Sequence, residues 1–248
     1  MALSPFTEIK LETNMLPVLM ILTSHGHLGS TGKPTGLWAD EMTTPYYALV
    51  DAGFDVVLAS PKGGRPPFAE GSIKTAPQEN EGSVKRFLSD PGAVAKFGAT
   101  HSTASLVAQL SADNYSAVFL PGGHGTMWDT ATDEATAALV AAIFNAGKPT
   151  AAVCHGPAGL VKALRRDGKS ILFGKKVNGF TNAEETAVEL MDVVPFHLET
   201  RMRELGGLFE HGPNWAPYAV RDGNLITGQN PASSALVASH VVAALQGK

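Results

Sequence analysis

The sequence holds a single cysteine, Cys154, in 248 residues. That excludes an intrachain disulfide framework and any cysteine-rich zinc site. Charge is sparse at 17%, the formal net charge is only −4, and no stretch is dense in lysine and arginine. A nucleic-acid or anionic-membrane partner is therefore not expected. Long hydrophobic runs are missing too, since the longest near the start, Leu16 to Leu22, has seven residues. Seven is too short to span a bilayer, and no basic segment precedes the run as a secretory signal would require. Disorder needs low hydrophobicity with high net charge, whereas 44% of these residues are hydrophobic. What remains is a soluble, cytoplasmic globular chain, long enough to bury a sizeable core.

The patterning reads as alternating strands and helices. Pro17–Thr23 is a short continuous apolar run, as suits a strand buried on both faces of a parallel sheet. A Gly-rich loop, a helix from about Gly36 to Ala52 and a second buried strand, Phe54–Ala59, complete a βαβ unit. Residues 61–100 are rich in Gly and Pro and weakly periodic, and read as an insertion that partly folds over the sheet. Further on, the pattern predicts a helix near Ser102–Gln109, the strand Ala117–Leu120, a helix near Asp133–Ala146 and the strand Thr150–Val153. A helix over Gly156–Leu164 and an extended segment, Ile171–Val177, come next. Helices near Ala183–Leu190 and Leu198–Leu205, a β-hairpin around Arg221–Asn224 and a terminal helix over Ser233–Leu245 finish the chain. Residues 1–14 read as a leader, and the absence of repeats or linkers favours one domain over 15–248. The order predicts a doubly wound, mostly parallel sheet with helices on both faces.

The strongest chemical signal is Ala151-Ala152-Val153-Cys154-His155-Gly156-Pro157. It places a cysteine at the turn between a buried strand and a following helix, the setting of a nucleophile elbow. There the side chain projects at the carboxyl end of the sheet, and a helix N-terminus would favour the thiolate. An inert buried cysteine is the competing reading; the Cys-His-Gly-Pro context favours the reactive one. Pro121-Gly122-Gly123-His124-Gly125 follows the preceding strand and lies in the same layer of loops. The backbone N–H groups of Gly123 and His155 are thus candidates for a two-donor oxyanion hole.

Leu120-Pro121-Gly122-Gly123-His124-Gly125-Thr126 together with Ala152-Val153-Cys154-His155-Gly156-Pro157 resembles the DJ-1/PfpI superfamily, relatives of the class I glutamine amidotransferases. Thr35-Gly36-Leu37-Trp38-Ala39-Asp40-Glu41, Asn178-Gly179-Phe180-Thr181-Asn182-Ala183-Glu184-Glu185, Val194-Pro195-Phe196 and the stretch from Thr227 to Ser234 are similar to its heat-shock chaperone/glyoxalase III branch. The likeness spans about residues 16–246. It implies a flavodoxin-like α/β sandwich, often a homodimer, and cofactor-independent conversion of methylglyoxal, a small dicarbonyl, to lactate. Chaperone activity and repair of glycated proteins are also attributed to relatives. By the same resemblance Cys154 is the nucleophile, His155 its triad partner, Glu185 the carboxylate that orients His155, and Glu41 the acid leaning over the cysteine. A carboxyl beside a thiolate cannot comfortably ionise as well, so the pair would share one proton and Glu41 would act as a donor. Glu184 adjoins Glu185, and only the alignment of Gly179-Phe180-Thr181 favours the latter.

Several features depart from this pattern or imitate another. His197-Leu198-Glu199 resembles the His-x-Glu pair of glutaminases, but it follows Val194-Pro195-Phe196 and reads as a chance polar residue at a helix start. His25, His27 and His124 have no recognisable ligand spacing, so no metal is expected. His25, His124 and Trp38 are candidates to border the substrate pocket. Two rival functions remain at this level. One is a stress-responsive chaperone or redox sensor, with Cys154 tuned for oxidation. The other is an amidase or peptidase using the same triad.

Overall fold

Burial on both faces is the property that selects the central strands. A computed structural model describes residues 15–74, 81–109 and 111–248. The chain starts with β1 (Val18–Ile21), α1 (Ala39–Asp51) and β2 (Val56–Ser60), whose strands pair in parallel. Then come α2 (Glu70–Lys74), α3 (Glu81–Leu88), α4 (Pro91–Gly98), β3 (His101–Ser102) and α5 (Thr103–Val107). The middle of the chain supplies β4 (Ala117–Leu120), α6 (Glu134–Asn145) and β5 (Thr150–Val153). Every residue of β1, β4 and β5 is buried. After these follow β6 (Lys176–Val177), α7 (Asn182–Ala187), α8 (Leu198–Glu204) and β7 (Leu208–Phe209). The hairpin strands β8 (Ala219–Asp222) and β9 (Leu225–Gly228) and the helix α9 (Ser234–Leu245) end the chain.

The main sheet has seven strands in the order β3-β2-β1-β4-β5-β9-β8, parallel except for the hairpin edge β8. From β1 the chain winds outward to β2 and β3, then returns to β4 and winds the other way. The reversal between β1 and β4 is the switch point where loops at the carboxyl ends of the strands part to form a crevice. Helix α1 packs against α9 and α3, while α5 packs against α6, so helices cover both faces. This is the mostly parallel, doubly wound α/β architecture that the alternating pattern predicts. Among the described residues no helix is long and apolar enough to cross a membrane.

Three expectations need correction. The helix expected over Gly156–Leu164 is only a 3-10 turn, Gly156–Leu160. Its two glycines and Pro157 form α-helix poorly, and the turn lies against the end of β4. The extended segment Ile171–Val177 is strand only at β6, which pairs with β7 in a separate two-stranded sheet. Residues just before it turn at Gly174, where φ is +71°. The 61–100 insertion is more regular than its composition implies, because α2, α3 and α4 lie within it. Phe68 stacks on Phe97 at 4.6 Å between ring centroids, and Phe87 meets Phe97 edge-on at 5.5 Å. The 1–14 leader lies outside the described residues.

The aromatic cluster carries a stability prediction. Phe97 is fully buried, so Phe97→Ala removes transfer energy and leaves a cavity that costs about 3–5 kcal/mol. Urea unfolding should show a lower midpoint, with the extrapolated unfolding free energy reduced by about 3–5 kcal/mol.

Candidate active site

Cys154 follows directly on β5 and has a left-handed backbone, φ +59°. Such a conformation costs a non-glycine residue roughly 1–2 kcal/mol, so neighbours must hold it. Its N–H donates to the Gly228 carbonyl at 2.9 Å, and its own carbonyl accepts from the Phe180 N–H at 2.8 Å. The turn projects the sulfur onto the wall of a cavity of about 270 Å3, which Glu41, Gly123, His124 and His155 also line. Cys154 is only 3% exposed.

His155 is as buried as the cysteine. Its Nδ1 lies 3.3 Å from the Cys154 sulfur and its Nε2 lies 2.7 Å from Oε2 of Glu185. Burial alone would raise the Glu185 carboxyl, but His155 and then His124 outweigh it and hold the group well below the usual carboxylate range. An ionised Glu185 requires the proton on Nε2 of His155, which leaves the Nδ1 lone pair toward the sulfur. Burial first, and His124 second, keep the His155 imidazolium disfavoured despite the adjacent carboxylate. The other Glu185 oxygen, Oε1, lies 2.8 Å from Nε2 of His124. Sequence reasoning missed this second imidazole on the carboxylate, having placed His124 only at the pocket border.

The Glu184 and Glu185 alternatives separate completely. Thr181 caps α7, its hydroxyl accepting from the Glu184 N–H, while Glu184 Oε2 accepts from the Thr181 N–H. The other oxygen of Glu184 accepts from Trp215 N, Gln229 Nε2 and Asn230 Nδ2. Glu184 therefore braces loops, and the next residue in the helix faces the histidines. The capping signature Thr-x-x-Glu was available in the sequence to make this distinction.

Glu41, in the first turn of α1, is fully buried. Oε2 accepts from the Gly122 N–H at 2.8 Å, and the carboxyl lies beside the Cys154 thiol. Burial and then Asp40 push Glu41 well above the ordinary carboxylate value. Burial and then the Glu41 charge push the Cys154 thiol upward as well. Two negative charges at this spot are incompatible, so the groups titrate as a unit. Once Glu41 holds its proton, burial and the Glu184 charge still oppose the thiolate, and the His155 backbone N–H favours it. The expectation of a thiolate stabilised by a helix N-terminus does not hold, because the element after Cys154 is a five-residue 3-10 turn with little dipole.

The remaining candidates divide. Gly123 lines the cavity, and its φ of +100° is glycine's own; a Cβ there would lie 2.5 Å from the Trp38 nitrogen. Trp38 lines the cavity. His25 does not: it stacks on Trp128 at 5.3 Å and bonds to the His27 carbonyl. His197 sits at the start of α8 and bonds to the Met191 carbonyl. His124, His155 and Glu185 are the one group of potential metal ligands among the described residues, with ligand atoms within 4.8 Å of one another. In the arrangement seen, each carboxylate oxygen is bonded to one ring nitrogen. Phe180, Val188, Trp215, Asn230, Pro231 and Ala232 complete the lining, and no local motif marked them as pocket walls.

Residues 39–244 match the DJ-1/PfpI family. The chain belongs to that family. Within it, the chain is 30% identical over 241 residues to the glutathione-independent glyoxalase HSP31 of Saccharomyces cerevisiae, covering 92% of this chain and 98% of that one. The fold superimposes on the crystal structure of glyoxalase III from Candida albicans with a TM-score of 0.81 and 26% identity, over 93% of this chain and 97% of that one. It also superimposes on the Rapid Encystment Protein 24 KDa of Francisella tularensis with a TM-score of 0.85 and 33% identity, over 93% and 99% of the chains. These likenesses place the protein in the glyoxalase III branch of the DJ-1/PfpI family.

The buried acid has a consequence for stability. Glu41 binds its proton more tightly folded than unfolded, so its contribution is fully present below its unfolded value and is lost as pH rises through the folded one. Glu41→Gln, which keeps an acceptor for Gly122, should therefore raise the melting temperature at pH 8. Each kcal/mol recovered is worth about 2–4 °C in a chain of this size. Thermal melts at pH 4 and pH 8 check this, and the gain should vanish at pH 4.

Proposed function

We propose that this protein is a glutathione-independent glyoxalase that converts methylglyoxal or a similar 2-oxoaldehyde to the 2-hydroxy acid. The observation carrying the proposal is the buried carboxyl of Glu41 beside the Cys154 sulfur, with a neutral imidazole on its other side. A protonated acid and a base flank one nucleophile, which is what an internal redox isomerisation requires.

The sulfur attacks the aldehyde carbon, forming a C–S bond. The thiol proton passes to Nδ1 of His155, and Glu41 gives its proton to the aldehyde oxygen. The product is a hemithioacetal facing a Glu41 carboxylate. Glu41 then removes the hydrogen on that carbon, and His155 returns its proton to the neighbouring carbonyl oxygen, giving an enediol. Protonation of the second carbon by Glu41, with loss of the hydroxyl proton on the first carbon to His155, yields a thioester. The first carbon has been oxidised and the second reduced, so the electrons balance within the substrate. Water, deprotonated by Glu41, attacks the thioester; the C–S bond breaks, and His155 reprotonates the sulfur. Backbone N–H groups of Gly123 and His155 are the donors for oxyanions on this path, each worth about 2.7–4 kcal/mol in comparable sites.

The rival readings fit less well. Oxidative sensing needs only a tuned sulfur and gives no task to the acid and the base on either side of it. Amide hydrolysis by the triad would give no task to a protonated Glu41. A reducing cytoplasm suits a lone catalytic cysteine, and we place the protein there, as a homodimer, in a stress response against dicarbonyls.

Purified protein without added thiol should convert methylglyoxal to lactate. Cys154→Ala should reduce turnover to background, and Glu41→Gln should lower kcat by about 10²-fold or more, both with unchanged circular dichroism. Full turnover by Cys154→Ala, or ammonia release from glutamine, would overturn the assignment.

A further inference from the structure

The cavity over Cys154 is much larger than methylglyoxal. Its volume is about 270 Å3. Methylglyoxal has five non-hydrogen atoms; phenylglyoxal has ten. Beside the groups that do chemistry, Trp38, Phe180, Val188, Trp215 and Pro231 form walls with little to offer a hydroxylated substituent.

Trp215 is the unusual member of this wall. Its backbone is left-handed, φ +66°, and the residue is 48% exposed. A large aromatic residue held this way needs a restraint. The restraint is Glu184, fully buried, whose Oε1 accepts from the Trp215 N–H at 2.9 Å while Gln229 and Asn230 donate to the same oxygen. The ring meets Phe180 at 5.8 Å, and Phe180 in turn lies 4.4 Å from the His155 ring. A chain of aromatic surface thus runs from the base beside the nucleophile to the mouth of the cavity.

We infer that the site selects 2-oxoaldehydes bearing an apolar or aryl substituent larger than methyl, with Trp215 as the specificity-determining residue that packs on that substituent. The inference rests on the glyoxalase reading and adds a substrate class to it. Small or polyhydroxylated 2-oxoaldehydes leave the aromatic walls in contact with water and gain nothing from them.

The test compares kcat/KM for phenylglyoxal, methylglyoxal and hydroxypyruvaldehyde in wild type, Trp215→Phe and Trp215→Ala. Wild type should favour phenylglyoxal by roughly tenfold or more, the scale on which apolar pockets discriminate. Trp215→Ala should lose most of that ratio through a higher KM for phenylglyoxal, and Trp215→Phe should keep most of it. A wild-type ratio near one, or the same ratio in Trp215→Ala, overturns the inference and leaves the glyoxalase reading standing. A binding arm works without turnover: calorimetric titration of Cys154→Ser with 2-hydroxyacetophenone and with hydroxyacetone. Tighter binding of the aryl ketone, lost in Cys154→Ser/Trp215→Ala, supports the pocket assignment even if no 2-oxoaldehyde is consumed. Equal binding of the two ketones overturns it.

Discussion

A carboxyl group removed from water keeps its proton, and that constraint organises the site. Glu41 is buried beside a sulfur that is itself buried. Ionising both would place two uncompensated charges in a low-dielectric cavity. The protonated acid is thus a product of burial and requires no metal or cofactor. Its cost is borne by the fold, in keeping with the general observation that sites of this kind trade stability for chemistry.

The surrounding architecture serves to hold that arrangement in place. The Gly122 N–H fixes one carboxyl oxygen of Glu41. The left-handed turn at Cys154 is pinned by Gly228 from β9 and by Phe180 from the segment before α7. Glu185 is carried to the histidines by a helix whose cap is its own neighbour. The parts come from four regions distant in sequence, and the doubly wound sheet brings them to one end of its parallel strands. Each contact uses either backbone polar groups or side chains with no solvent alternative, so the geometry is set before a substrate arrives.

Much of this was readable in the residues. Ala117–Leu120 and Thr150–Val153 are strands at the expected boundaries, because short apolar runs between turn formers have few other fates. The cysteine turn and the Gly-Gly loop were legible for the same reason, since the chain must change direction where a buried strand ends. The 3-10 turn after Cys154 was read as a helix because its apolar residues look helical in pattern. Two glycines, a proline and the close approach of β4 decide otherwise. Phe180, Trp215 and Pro231 carry no local signal as cavity walls. They meet only through tertiary packing, and Trp215 depends on a buried Glu184 that is 31 positions away in the chain. The choice between Glu184 and Glu185 lay in a capping signature that family alignment alone left unread.

Infrared difference spectroscopy of the resting protein at neutral pH reads the Glu41 proton directly. The account predicts a carbonyl stretch from a buried, protonated carboxylic acid that is present in wild type and missing in Glu41→Gln. Identical spectra for the two proteins, with no protonated carboxyl at neutral pH, would mean that Glu41 is ionised beside the sulfur and would contradict it.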